Sequence, residues 1–425
     1  MSAADAQMLD LTRWIRPGDT VMWSQGTGEP ELVLQALIAQ RHAIGPTRVF
    51  LGSSYSDLIL PEHADTMSFI GIGAVGRTRA FVDAGLLGVI PCHLSELPRL
   101  MRSGLLKIDV VIVHASRNEK GELSYGANCS YLPAAVAQAR VVIAEVNEQC
   151  PWTHSRETLR RADFVVRSSR PLVNLPVRRA DEVDRKIARL AAGLVEDGDV
   201  LQIGIGMLPD AILSLLSGHR HLGIHSGVIG DGIVKLVEQG AIDNATKPVD
   251  RGITVTGGLF GSQHLYDYAH LNRALRVDPV TYTHAPQVLA NFESFVTINS
   301  AVEVDLTGQV NGEVARGGYL GTVGGQTDFA RAAMASPRGR SIIALPSRTS
   351  SGKNRIVARM ADCVLSAARA DTDIVVTEHG VAHLRGQPLP ERARRMIAIA
   401  HPDDREHLER EAATLPGVGP RQTRK

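Results

Sequence analysis

Cysteine is scarce in this chain of 425 residues: Cys92, Cys129, Cys150 and Cys363 lie far apart, with no CxxC pair. A disulfide frame or a structural zinc site is therefore not expected, and reduced thiols fit a cytoplasmic protein. Aromatic residues make up only 4% of the chain, too few for a base-stacking surface. Neither charge sign dominates: the formal net charge is +1, which gives no field for gripping nucleic acid or an anionic membrane. No run approaches the ~18 uninterrupted apolar residues of a membrane span, and Met1 to Arg16 lacks an apolar core of signal-peptide length. His379 and His383 form an HGxxH pattern near Arg385, but without the helix context or third ligand of a metal site, so no metal is expected. Ser226 does not sit at the centre of a GxSxG elbow, so a serine-hydrolase nucleophile is not indicated.

What is present reads as a globular α/β protein. The chain is 44% hydrophobic and 21% charged, and it is too long for one ordinary core, so two domains are expected. Val110 to His114, Arg140 to Glu145 and Asp373 to Thr377 are β-branched runs of strand length. Leu94 to Arg102 and Asp184 to Leu194 show helical spacing, and this alternation implies largely parallel sheets. A weak internal repeat sharpens the picture. Gly18-Asp19, an apolar run, a Gly-rich turn, Pro30 and a helical pattern recur about 180 residues later as Gly198-Asp199, Val200 to Ile203, Gly204-Ile205-Gly206 and Pro209. Two related α/β halves, residues 1–178 and 179–425, joined near Leu172 to Asp184, are the economical reading. The polar stretch Thr414 to Lys425 reads as a frayed tail.

Three glycine-rich segments and one polar loop are candidate binding elements. Gly71 to Gly76 matches GxGxxG, but Met67 to Ile70 is barely a strand and no acidic residue opens a second strand about 20 positions on. A nicotinamide or flavin is therefore not expected. Gly204-Ile205-Gly206-Met207-Leu208 follows an apolar strand and precedes a helix. Its glycines permit close backbone approach, and the helix start offers orphan N–H groups; a plain tight turn is the alternative. Gly324 and Gly325 precede a second helical stretch and can aim successive N–H groups at an oxyanion or phosphate. Ser347 to Arg355 reads as a mobile loop with three cations, Arg348, Lys353 and Arg355. It either holds phosphates or is a solvated surface loop.

Taken together, these pieces resemble the acetyl-CoA hydrolase/transferase family, from roughly Arg16 to Leu408. The most specific stretches are Ile298 to Val310, Gly324 to Phe329, Val376 to Arg385 and Ile399 to Pro402. The resemblance implies two related open α/β domains, acyl-CoA and small carboxylic acids as substrates, no metal and a homodimer. It implies that Gly204, Ile205, Gly206, Met207 and Leu208 form the CoA-binding turn. By the same resemblance Gly324 and Gly325 form a second CoA and oxyanion loop; Lys353, from the polar loop read above, is a further CoA-binding candidate. It further implies ping-pong transfer through a glutamate that carries CoA as a thioester, with each backbone N–H of the oxyanion site worth roughly 3–4 kcal/mol.

The departure is at that glutamate. The family run of His, Thr or Ser, and Glu, with Asp four residues on, is here His225-Ser226-Gly227 with Asp231. Glycine can neither attack nor form an anhydride. Glu29, Glu145, Glu293 and Glu303 are possible substitutes. The expectation is an acyl-CoA-processing enzyme moving CoA to a small acid, acetate by family default, without the glutamyl route. Two alternatives stand beside it. One is an acyl-CoA or C–C hydrolase with His225 activating water, against the plainer reading that His225 makes a structural hydrogen bond holding the turn. The other is a silent acyl-CoA binder.

Overall fold

The computed structural model describes residues 9–175, 179–315, 317–361 and 363–419. Residues 1–8 of the N-terminal stretch, 176–178 of the expected junction and 420–425 of the expected tail lie outside the described residues. The chain forms two units. One gathers the described residues up to 175 with Ile224–Val234 and Gly252–Val288; the other holds those from 179 to Gly223, Lys235–Arg251 and the rest from Leu289.

In the first unit, strands run edge to edge in the order Leu87–Val89, Met67–Gly71, Thr47–Leu51, Thr20–Trp23, Val110–Arg117, Val141–Asn147 and Phe164–Ser168, all parallel. Leu123–Ser124 pairs antiparallel with Val110–Arg117. Every residue of Val141–Asn147 is buried, which is why that strand reads as a continuous β-branched run instead of an alternating one. Helix Glu31–Ile44 lays Val33, Leu34 and Leu37 on this sheet, in one core with Val21, Val49, Ile112 and Ile143.

The second unit repeats the plan. Val200–Ile203, Phe295–Asn299, Arg340–Ala344 and Ile374–Thr377 are parallel neighbours, and Gly380–His383 closes one edge antiparallel. Helix Glu182–Ala192 starts at a reciprocal cap: Asp181 accepts from the Asp184 N–H at 2.8 Å, and Asp184 accepts from the Asp181 N–H at 3.2 Å.

The internal repeat is visible in hydrogen bonds. Asp19 accepts from the Arg16 N–H at 2.7 Å, and Asp199 accepts from the Glu196 N–H at 2.7 Å. Gly18 and Gly198 both turn through positive φ, 86° and 82°. Each aspartate then meets an arginine, Arg140 at 2.5 Å and Arg340 at 2.8 Å. The protein is thus two related α/β units with mainly parallel sheets.

Three expectations change. Met67–Gly71 is a full strand, and the glycines around it serve packing: a Cβ on Gly71 would lie 2.3 Å from the Leu51 carbonyl oxygen, and one on Gly76 2.1 Å from that of Ser54. The tail is folded through Gly419, because Leu415 is buried in the core formed with Met396, Leu408 and Ala412. Ser347 to Arg355 is a braced turn, in which the Thr349 N–H donates to the Lys353 carbonyl at 2.8 Å and the Arg355 N–H donates to that of Ser347 at 2.8 Å. No helix among the described residues is long and apolar enough to cross a membrane.

Candidate active site

In a parallel sheet the loops at the carboxyl ends of the strands all emerge at one edge, where ligands bind. At that edge of the second unit, Val200–Ile203 runs into the Gly204 turn, and the Gly204 N–H donates to the Ile298 carbonyl at 3.2 Å. Gly206 has φ 121° and precedes helix Met207–Ser214 with no side-chain cap. Ile205 and Met207 are half-buried, Gly206 is exposed and Leu208 is buried as an anchor. No atom lies within 4 Å of a Cβ built on Gly206, so this turn faces open space.

Helix Gln326–Ala335 runs back toward Arg340–Ala344, so its N-terminus sits at the same edge. Gly324 turns through φ 58°, and Gly325 starts the helix, again without a side-chain cap. Phe329 fixes the helix by packing on Phe295, 6.2 Å between ring centroids. The loop leaving Arg340–Ala344 carries the three cations, but two are engaged. Arg348 pairs with Asp404 at 2.5 Å, and the Arg355 Nε donates to the Val302 carbonyl at 2.8 Å. Lys353 is exposed and joins no ion pair among the described residues. Ile374–Thr377 ends at Glu378, whose carboxylate accepts from the Ser347 N–H at 2.9 Å and its Oγ at 2.6 Å.

His225, Ser226 and Gly227 belong to the first unit. They run beside Thr254–Thr256: the Ser226 N–H donates to the Val255 carbonyl at 3.0 Å, and the Gly257 N–H to that of Gly227 at 3.0 Å. His225 and Ser226 are fully buried, whereas Gly227 is half-buried. The His225 Nε2 lies 3.1 Å from the Thr283 carbonyl. Because a carbonyl only accepts, Nε2 is the donor in this contact. Asp231 accepts from the Ser262 N–H at 3.0 Å and its Oγ at 2.8 Å, which pins the Gly261-Ser262 turn.

The four candidate substitute glutamates are all engaged. Glu293 is exposed and faces Arg338 at 3.6 Å, and Glu303 accepts from Asn311 at 3.0 Å. Glu145 is fully buried and accepts from the Val33 N–H at 3.1 Å, Ser168 at 2.9 Å and Arg170 at 3.2 Å. Glu29 accepts from the Ser54 Oγ at 2.8 Å and from the Tyr55 and Ser56 N–H groups at 2.9 and 2.8 Å; burial pushes its carboxyl above the usual range. The lone pairs of Glu29 and Glu145, occupied in this way, hold loops and are poorly placed to attack a thioester.

Sequence reasoning missed the elements that hold Gly227. Gly257 accepts at its carbonyl from the Cys129 and Ser130 N–H groups at 3.1 and 3.2 Å, and a Cβ on it would meet the Gly227 oxygen at 2.8 Å. The adjacent glycines Gly257-Gly258 were the available signal. Among the described residues, no group of three or more His, Cys, Asp or Glu is arranged to hold a metal ion.

Residues 6–167 match the acetyl-CoA hydrolase/transferase N-terminal domain, and residues 261–412 match the C-terminal domain. The chain is 36% identical over 399 residues to a 4-hydroxybutyrate coenzyme A transferase of Clostridium kluyveri, covering 91% of this chain and 92% of that protein. It is 32% identical to a succinyl-CoA:cyclohexane-1-carboxylate CoA transferase of Geobacter metallireducens, over 93% of this chain and 91% of that one. Among solved structures it is similar to RipA from Yersinia pestis, with TM-score 0.90, 31% identity and 97% of each chain covered. The chain belongs to the acetyl-CoA hydrolase/transferase family. It is therefore an enzyme of the CoA-transferase and acyl-CoA hydrolase class, with CoA thioesters as its substrates.

Proposed function

We propose that this enzyme moves CoA from an acyl-CoA to a small carboxylic acid without a covalent glutamyl-CoA stage. The observation that carries the reading is the carboxyl edge of the second unit, where two glycine turns lead into helix N-termini that no side chain caps. Such ends present N–H groups and a positive dipole to phosphates or to a thioester oxyanion. Lys353 adds an exposed cation at the same edge for the CoA phosphates.

With glycine at 227, and Glu29 and Glu145 committed to holding loops, the acceptor itself supplies the attacking carboxylate. One of its oxygens bonds to the thioester carbonyl carbon and the C–S bond breaks, giving a mixed anhydride and CoA thiolate. The thiolate then attacks the acceptor-derived carbonyl, and the original acid leaves as carboxylate. In this scheme His225 braces the turn through Thr283, and its role is positional.

The test is a two-substrate initial-rate study, with products followed by mass spectrometry. The expected result is new acyl-CoA only when acceptor is present, intersecting rate lines and an unchanged intact mass of the protein after acyl-CoA treatment. Parallel lines, or a CoA adduct on the protein, would restore a covalent relay. Acceptor-independent release of CoA that is lost in His225→Ala would make His225 a base to water. Binding of acyl-CoA without any turnover would make the chain a silent binder.

A further inference from the structure

The turn that carries Lys353 is exposed, yet it is tied down on every side. Ser351, Gly352 and Lys353 are all exposed, and no atom lies within 4 Å of a Cβ built on Gly352, so the tip faces open space. Its two arms pair antiparallel at Arg348 and Asn354. The Thr349 N–H donates to the Lys353 carbonyl at 2.8 Å, and the Lys353 N–H donates back to the Thr349 Oγ1 at 3.0 Å. Both arms then meet one carboxylate from helix Pro402–Ala412. Asp404 accepts from the Arg348 Nε at 2.8 Å and from its Nη2 at 2.5 Å, a two-pronged contact, and the Asn354 side chain donates to the same carboxylate. Asp404 is itself well seated: its side chain is 13% exposed, and it lies in the first turn of its helix, where the dipole favours a negative charge. The same contact neutralises Arg348, and Arg355 directs its donors to the carbonyls of Val302 and Ala301. Lys353 is left as the cation of this turn that joins no ion pair among the described residues.

We infer that Asp404 is a positioning residue for CoA: by clasping both arms of the turn it fixes the root of Lys353, so that the ammonium meets the CoA phosphates without the loop having to be ordered first. The inference rests on the reading that Lys353 meets those phosphates. Ordering a loose loop at the moment of binding costs conformational entropy, and a turn already held by Asp404 has met that cost on folding. An exposed cation contributes little to binding a phosphate. A small gain of that kind survives only if it is not cancelled by ordering the chain that carries it, which is why an exposed lysine is worth so much bracing.

The test measures Kd for CoA and for pantetheine, which lacks the phosphates, by isothermal titration. Wild type, Lys353→Ala, Asp404→Ala and the double variant are compared. Lys353→Ala should weaken CoA by up to about fivefold and leave pantetheine unchanged. Asp404→Ala should weaken CoA by a similar factor, again sparing pantetheine, and should change nothing further in the Lys353→Ala background. A merely structural role would weaken both ligands or add to the Lys353→Ala loss, and either result overturns the inference. So does unchanged or tighter CoA binding by Asp404→Ala; the second would mean that the aspartate masks Arg348. Should Asp404→Ala fail to fold, Asp404→Asn keeps the size of the side chain and loses its charge, and the same pattern is expected at smaller amplitude. Loss of the inference alone leaves the Lys353→Ala effect in place. An unchanged CoA affinity in Lys353→Ala removes the reading beneath it, and the inference with it.

Discussion

Gly257→Ala tests directly whether the backbone around Gly227 is held as described. The added methyl would sit 2.8 Å from the Gly227 carbonyl oxygen, closer than Cβ atoms approach anything, and the obstacle is backbone with no rotamer to escape through. Either the Gly227 carbonyl retreats and its 3.0 Å bond from the Gly257 N–H weakens, or Gly257 moves and disturbs the Cys129 and Ser130 N–H groups that share its oxygen. Overpacking of this kind costs about 1–3 kcal/mol, and a lost hydrogen bond about 1 kcal/mol more, so the loss should be roughly 2–4 kcal/mol. Gly258→Ala is the control, because its methyl meets the side chains of Asn128 and Phe260, which can give way. That change should be milder, below about 1.5 kcal/mol. All three tryptophans, Trp14, Trp23 and Trp152, lie in the first unit, so fluorescence during urea unfolding reports on that unit. Acyl-CoA turnover is measured alongside. Gly257→Ala should lower kcat well beyond its effect on KM, since the turns proposed to bind CoA belong to the second unit. If Gly257→Ala matches wild type in urea midpoint and kcat, the segment around Gly227 is not held against Gly257.

Two further outcomes follow from the site and the core. Lys353→Ala should raise KM for acyl-CoA up to about fivefold with kcat unchanged, the scale of one exposed ion pair, and the effect should shrink with added salt; equal KM values at low salt would remove Lys353 from the CoA site. Burial lowers His114 and His284 to about 3, so both stay neutral in the folded first unit while the unfolded chain takes up protons below about pH 6.5. The unfolded state then binds more protons, so stability should fall as pH drops from 6.5 toward 3, by up to about 1.4 kcal/mol per pH unit for each imidazole. Urea midpoints from pH 7 to 4.5 should show this slope, and His114→Gln should flatten it by about half; an unchanged slope would show that His114 is not what titrates.

Much of the fold was legible because local chemistry dictates it. Gly18-Asp19 and Gly198-Asp199 each need a positive φ and a carboxylate that turns back on the chain, and both requirements show in the residue types. The strands Val110–Arg117 and Val141–Asn147 were legible because a sheet covered on both faces leaves no polar alternation to confuse the pattern. What failed was whatever depended on distant partners. Arg348 looks like a loop cation until Asp404 neutralises it, and the weak strand pattern of Met67 to Ile70 becomes a full strand only through its pairing with Thr47–Leu51. Asn128 and Gly258 could not be joined from sequence, because they lie 130 positions apart and meet only through strand-like pairing.

The manner in which Gly227 is held bears on what this turn requires of the residue at that position. The contacts that fix this segment are made by its backbone and by its neighbours: the Ser226 N–H, the Gly227 carbonyl and the Ile229 N–H, each on Val255, Gly257 or Gly258, and the Asp231 carboxylate on Ser262. None of these bonds involves a side chain at position 227. The segment is therefore fixed by backbone bonds and by Asp231, independently of any side chain at position 227. Retention of the two sheets and their glycine turns consequently argues for CoA thioesters as substrates, but not for the glutamyl intermediate.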